Sequence, residues 1–138
     1  MPASERTLVL VKPDGVQRQL VGRILARYEE RGLKIAGLKL VTVDRELAER
    51  HYDVHRAKPF FEGLVEFIIS GPLVALALDG PNAIAVVRAI NGATDGRAAA
   101  AGTIRGDLSL SNRENLVHAS DSPESAKREL ALWFPDLV

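Results

Sequence analysis

The chain has 138 residues, 46% of them apolar, with 18 basic and 18 acidic side chains and no cysteine. That much apolar sequence supports one domain with a single sizeable core and argues against disorder. A formal net charge of zero argues against a general nucleic-acid or membrane-surface binder, which carries a basic excess. The lack of cysteine excludes thiol catalysis, disulfides and thiolate-ligated zinc, and fits a reducing compartment. No apolar run approaches the length of a membrane span. The first five residues lack the apolar stretch of a secretory signal, so a cytoplasmic protein is expected.

In chain order, residues 7–12 read TLVLVK, a buried strand closed by Pro13, and Asp14-Gly15 signals a turn. Leu20, Val21, Ile24, Leu25 and Tyr28 recur at helical spacing, with Gly32 as the C-cap. Residues 33–43 read as a second strand whose alternation slips at Gly37, which predicts a bulge there. Asp44 caps a short helix reaching Tyr52. Phe60, Phe61, Leu64, Val65 and Ile68 form one face of another helix, ended by Ser70-Gly71-Pro72. Residues 73–78 are an unbroken apolar run, a central strand, and Asn82 caps a helix carrying Ile84, Val87 and Ile90. Residues 92–115 hold four glycines and no sustained period; a loop this long in a small domain is often functional. Residues 116–119 form a short strand. Ser122 and Pro123 then open a final helix, whose buried face is Ala126, Leu130, Trp133 and Phe134.

Strands separated by helices predict an α/β (α+β) domain over residues 1–138, with helices packed on one sheet around one core. The order fits a ferredoxin-like βαββαβ arrangement with extra helical pieces and a long loop before the last strand. Pattern alone leaves the strand order open.

The chain has neither the Gly-rich P-loop nor the G-x-G-x-x-G dinucleotide turn, and the protein-kinase motif set is absent. Its histidines are His51, His55 and His118. His51 and His55 are four apart, but no H-E-x-x-H surrounds them, so packing or surface roles are expected rather than zinc. His118 ends a short apolar strand just before a capped helix, whose free N–H groups suit phosphate. Position alone weighs a functional role and an ordinary hydrogen-bonded strand end equally. Glu129 lies on the flank of the last helix's apolar stripe, from where its carboxylate can reach back toward His118. Such a carboxylate orients an imidazole and fixes its tautomer; the competing reading is an exposed glutamate paired with a neighbouring cation. Lys12 ends a buried strand, Arg88 lies on an apolar helix, and Arg105 stands between Ile104 and Gly106. Taken singly, Lys12 reads as a snorkelling surface lysine and each arginine as an ordinary ion-pair partner. A set of cations around one histidine in a neutral protein points instead to phosphate.

Asn115-Leu116-Val117-His118-Ala119-Ser120-Asp121 resembles the active-site signature of nucleoside diphosphate kinases. Val11-Lys12-Pro13-Asp14-Gly15-Val16, His51-Tyr52, Lys58-Pro59-Phe60-Phe61, Ser70-Gly71-Pro72, Gly102-Thr103-Ile104-Arg105-Gly106-Asp107 and Ala131-Leu132-Trp133-Phe134-Pro135 resemble further family motifs, in the family's order. The resemblance implies a ferredoxin-like fold with a four-stranded antiparallel sheet. It implies ping-pong transfer of the γ-phosphoryl group of a nucleoside triphosphate to a diphosphate through phosphorylated His118. Glu129 and Ser120 match the supporting residues. Lys12, Tyr52, Arg88, Thr94, Arg105 and Asn115 match the groups that hold the phosphates and the sugar hydroxyl, and Phe60 matches the aromatic under the base. Mg²⁺ is implied as a companion of the nucleotide, with no protein ligand. A homo-oligomer is implied, hexamer before tetramer. Ala119 stands where glycine is commoner, Gly96 and Ala101 where prolines are usual, and Asn112 where an apolar residue often covers the base. Two other readings are a catalytically silent paralogue and a nucleic-acid-binding regulator. The second needs a basic stripe interleaved with aromatics, of which the chain has seven.

Overall fold

The computed structural model describes residues 4–137. The elements are β1 (Ser4–Val11), α1 (Pro13–Gln17), α2 (Val21–Glu30), β2 (Lys34–Val41), α3 (Arg45–His51), α4 (Phe61–Ile68), β3 (Leu73–Pro81), α5 (Ala83–Asn91), α6 (Ile104–Leu108), β4 (Val117–Ala119) and α7 (Pro123–Trp133). The sheet order is β2-β3-β1-β4 and every neighbouring pair is antiparallel. This is the ferredoxin-like order, with a four-stranded sheet and its helices.

The two central strands explain why the core forms where it does. β1 and β3 are apolar at successive positions, so both faces need cover. Val9, Val11, Leu76 and Leu78 face Ile24 and Tyr28 of α2 and Val87 of α5. Leu8, Leu10, Ala75 and Ala77 face Val65 and Ile68 of α4 and Leu130 and Trp133 of α7. The single core expected from sequence is therefore divided into two apolar layers, one on each side of the sheet.

The bulge expected at Gly37 is present, as a register slip between Ile35 and Gly37. A Cβ at Gly37 would lie 2.9 Å from the Phe134 ring, so glycine here lets the C-terminal segment close on β2. Asp44 caps α3 by accepting from Leu47 N, and Ser122 caps α7 by accepting from Ser125 N.

Three local expectations need correction. Asp14-Gly15 belongs to helix α1, because Pro13 takes the first helical position, where its missing N–H costs nothing. Asn82 does not cap α5: it has φ 52° and makes no side-chain cap, and Ile84 N donates instead to the Glu5 carboxylate. The segment 92–115 is not all loop, since Thr103 Oγ1 accepts from Gly106 N and starts α6.

Candidate active site

β1 delivers Lys12 at its C-terminal end, and Lys12 N donates to Leu116 O at 2.8 Å. Leu116 has φ 74°, a left-handed backbone that non-glycine residues rarely adopt. Its N–H donates to Asp14 Oδ2 at 3.1 Å, so buried Asp14 and the Lys12 backbone together hold the kink. The kink turns the chain into β4, where His118 pairs with Leu10. Directly opposed residues share a sheet face. His118 therefore projects into the layer of α3, α4 and α7, where Glu129 waits.

His118 Nε2 lies 3.0 Å from Glu129 Oε1, and Ser120 Oγ donates to the same oxygen at 2.7 Å. Burial alone would raise the Glu129 pKa. The hydrogen bond and charge of His118, the field of His51 and the Ser120 hydroxyl outweigh burial and bring it down to about 2. At neutral pH the carboxylate is ionised and can only accept hydrogen bonds. The His118 nitrogen facing it must carry the proton, which leaves the lone pair of neutral imidazole on Nδ1. The geometry thus sets a tautomer with its nucleophilic nitrogen away from the carboxylate.

His118 and Glu129 line a cavity of about 540 Å³, together with Lys12, Tyr52, Phe60, Arg88, Thr94, Arg105 and Asn115. Ser120 is buried behind Glu129. All ten residues singled out in the sequence are brought to one place. The cations differ in their commitments. Lys12 Nζ donates to Asn115 Oδ1 at 2.7 Å, and burial, then Arg105, lowers its pKa to about 8, partly offset by Asp14. Arg105 donates to the carbonyls of Asn115, Gly92 and Val117 at 3.1, 2.8 and 2.6 Å. Of its five N–H groups, two remain for the cavity. Arg88 makes one long bond, to Ala119 O at 3.3 Å. Asn115 also donates to Thr94 O and Asn112 O, which leaves one Oδ1 lone pair uncommitted. At the mouth, Phe60 is 46% exposed, with the His55 ring 5.5 Å from its own and Lys58 Nζ 5.5 Å over its face. Asn112 lines the cavity too.

Sequence reasoning missed three contributors. Asp14 read as a turn residue, although its carboxylate sets the Leu116 kink. Arg128 reaches the cavity while donating to the carbonyls of Arg50 and His51. His51 is 2% exposed and packs edge-on against His118. Its packing role was expected, but no local signal tied it to His118.

A carboxylate-oriented imidazole facing a cavity lined with lysine and arginine is the equipment of a phosphotransferase. The family model described as nucleoside diphosphate kinase matches residues 5–137, and the chain belongs to that family. The nucleoside diphosphate kinase of Nocardioides sp. is 61% identical over 134 residues, spanning 97% of this chain and 99% of that one. That of Staphylothermus marinus is 59% identical over 133 residues, spanning 96% and 94%. Among solved structures, a halophilic nucleoside diphosphate kinase from Halobacterium salinarum in complex with CDP superposes with a TM-score of 0.93 at 51% identity, covering 96% of this chain and 88% of that one. A nucleoside diphosphate kinase family protein from Babesia bovis does so with 0.93 at 47%, covering 96% and 90%. The protein is an enzyme that transfers phosphate between nucleotides, and the silent-paralogue reading has no support.

Proposed function

We propose that this kinase works by ping-pong transfer, with His118 Nδ1 carrying the phosphoryl group from a nucleoside triphosphate to a diphosphate. The Nδ1 lone pair forms the N–P bond as the bond from phosphorus to the β-phosphate oxygen breaks, and the first diphosphate leaves. The second diphosphate attacks phosphorus and takes the group away. No proton moves in either half. Glu129 keeps the Nε2–H throughout and offsets the positive charge the ring gains. Lys12, Arg88 and the free donors of Arg105 neutralise the equatorial oxygens. Tyr52, Thr94 and Asn115 hold the phosphates and the sugar hydroxyl, and Phe60 stacks on the base. The observation that carries this reading is the 3.0 Å contact between His118 Nε2 and buried Glu129.

Mg²⁺ prefers hard oxygen ligands and retains waters, commonly using substrate phosphates. Among the described residues, the one group of three that could hold a metal is His51, His118 and Glu129, a nitrogen-rich set unsuited to it. The cavity therefore fits Mg²⁺ that arrives on the nucleotide's own phosphates, where it adds charge neutralisation.

The test is incubation with labelled ATP alone. One label per chain is expected, acid-labile and alkali-stable as a phosphoimidazole is, and discharged by any nucleoside diphosphate. Acid-stable label would move the nucleophile to a hydroxyl.

Stacking is worth roughly 1–3 kcal/mol per base. Phe60→Ala is accordingly expected to weaken ADP binding, and Asn112→Val to tighten it modestly. Calorimetric dissociation constants decide; parent-like ADP affinity in Phe60→Ala would remove Phe60 as the platform.

Lys12 gives a pH signature. Its pKa in the free site is about 8, and an anionic polyphosphate favours the charged form. Above pH 8, ADP binding should take up a proton and weaken as the pH rises, with the uptake lost in Lys12→Met. Calorimetry in buffers of differing ionisation enthalpy reads it. On the unliganded fold the sign is opposite. Between about 8 and 10.5 the unfolded chain holds this proton more tightly, so this group's effect on stability improves as pH rises.

We also propose one catalytic domain over residues 1–138, working in the cytoplasm as a homo-oligomer, hexamer before tetramer. Edge strand β2 leaves Leu38 and Leu40 52% and 66% exposed, the kind of edge that proteins cover. Light scattering should give an oligomeric mass; a fully active monomer at micromolar concentration overturns the assembly. Among the described residues, no helix is long and apolar enough to cross a membrane.

A further inference from the structure

One hydrogen bond fixes one atom of a ring. The Nε2 contact to Glu129 and the bond from Cγ to the backbone side anchor His118 at two points but leave its plane free to turn about the line between them. An N–P bond forms along the Nδ1 lone pair, which lies in the ring plane. A turning ring would swing this lone pair over an arc, and small misplacements of a reacting atom are costly.

The plane is held by a second ring. His51 lies 4.5 Å from His118 between centroids, at 78° to it. His51 is itself held on its other sides: Trp133 at 5.5 Å and 80°, and Tyr52 at 4.7 Å and 75°. Trp133 Nε1 donates to His51 Nδ1 at 3.0 Å. Indole N–H is a donor only, so His51 Nδ1 must be the acceptor and neutral His51 carries its proton on Nε2. A 180° flip of the His51 ring would replace the accepting nitrogen by carbon and leave a buried indole N–H without a partner, at about 1–3 kcal/mol. His51 is thus fixed in position, rotamer and tautomer.

We infer that His51 is a positioning residue for the nucleophile: held by Trp133, it fixes the plane of His118 so that Nδ1 faces the cavity. This rests on His118 being the phosphorylated residue, and deepens that reading. His51 touches neither phosphate nor base in this role; it acts through His118.

The experiment measures single-turnover labelling by ATP, ADP affinity and melting temperature in the parent, His51→Asn and the double variant His51→Phe/Trp133→Phe. Asn keeps an oxygen for the indole N–H but removes the ring. The double variant keeps two crossed rings and removes both polar partners, an exchange that leaves no orphan. His51→Asn is expected to label about ten- to a hundredfold more slowly, with ADP affinity within about twofold of the parent. The double variant should recover most of the rate. Nitrogen-15 spectra of the histidine-labelled parent should show His51 Nδ1 unprotonated and Nε2 protonated, which decides the lock even if His51→Asn fails to fold. Parent-rate labelling of His51→Asn, a parallel loss of ADP affinity, a double variant no faster than the single, or a protonated Nδ1 each overturns the proposal. If the parent itself carries no label on His118, the nucleophile assignment fails; if the parent labels there and His51→Asn labels as fast, only the positioning role fails.

Discussion

His118→Asn is expected to abolish both labelling by ATP and turnover while leaving ADP affinity close to that of the parent. The amide cannot form the phosphorylated intermediate, and the hydroxyl beside it cannot take over, because Ser120 is spent on Glu129. The groups proposed to hold the phosphates are fixed independently of His118. Lys12 is tied to Asn115, and Arg105 to three carbonyls. Binding should therefore survive the loss of chemistry. Parent-like labelling of the variant would remove His118 from the mechanism.

Glu129→Gln is expected to be milder, slowing turnover by about ten- to a hundredfold, the usual cost of losing a partner that orients a reactive imidazole. The amide oxygen can still accept from Nε2–H, but it carries no charge to balance a phosphorylated ring. Acid stability gives a second readout. The Glu129 pKa is depressed from 4.5 to about 2. The stability it contributes is present above about pH 4.5 and is lost as the pH falls toward 2. Glu129→Gln should lack that part of the acid transition, which denaturation at pH 6, 4 and 3 would show.

The features legible in the sequence were those with a local cause. The Gly37 slip, the Asp44 and Ser122 caps and the apolar runs of β1 and β3 can all be read from a few neighbouring residues. The His118–Glu129 pair was within reach because they stand only 11 positions apart, through strand end, cap and helix, and the helix stripe points Glu129 inward. What was not legible depends on residues far apart in the chain. Asp14 sets the Leu116 kink across 102 positions, and Trp133 holds His51 across 82. The two-layered core also escaped the pattern. An apolar run says that a strand is buried on both faces, but not that helices before and after it will supply separate layers. Gly96 is a further case. A Cβ there would lie 2.5 Å from Ser109 O, so the segment has closed around a residue without a side chain.

Arg105 and Arg88 read alike in the sequence, as arginines suited to phosphate, and the structure separates them. Arg105 is 9% exposed, and its guanidinium joins Gly92 at the end of α5 to Asn115 before the kink and Val117 in β4. Arg88 is committed only by one 3.3 Å bond to Ala119 O. Arg105→Ala would leave three carbonyls without this donor; Asn115 O keeps Val117 N at 2.8 Å, so Gly92 O and Val117 O carry the loss, at about 1–3 kcal/mol for each acceptor left unsatisfied. The sum is a large part of a typical total stability of about 5–15 kcal/mol. Arg105→Lys cannot restore it, because an ammonium on a flexible stem is a point donor and not a planar fork. Both Arg105 variants should therefore lose melting temperature and ADP affinity together, the alanine variant most. Arg88→Ala should lose affinity and turnover with a melting temperature near the parent's. Thermal melts with and without ADP distinguish the two arginines. A parent-like melting temperature for unliganded Arg105→Ala would show that the three carbonyls find other donors, and would reduce Arg105 to a phosphate ligand like Arg88.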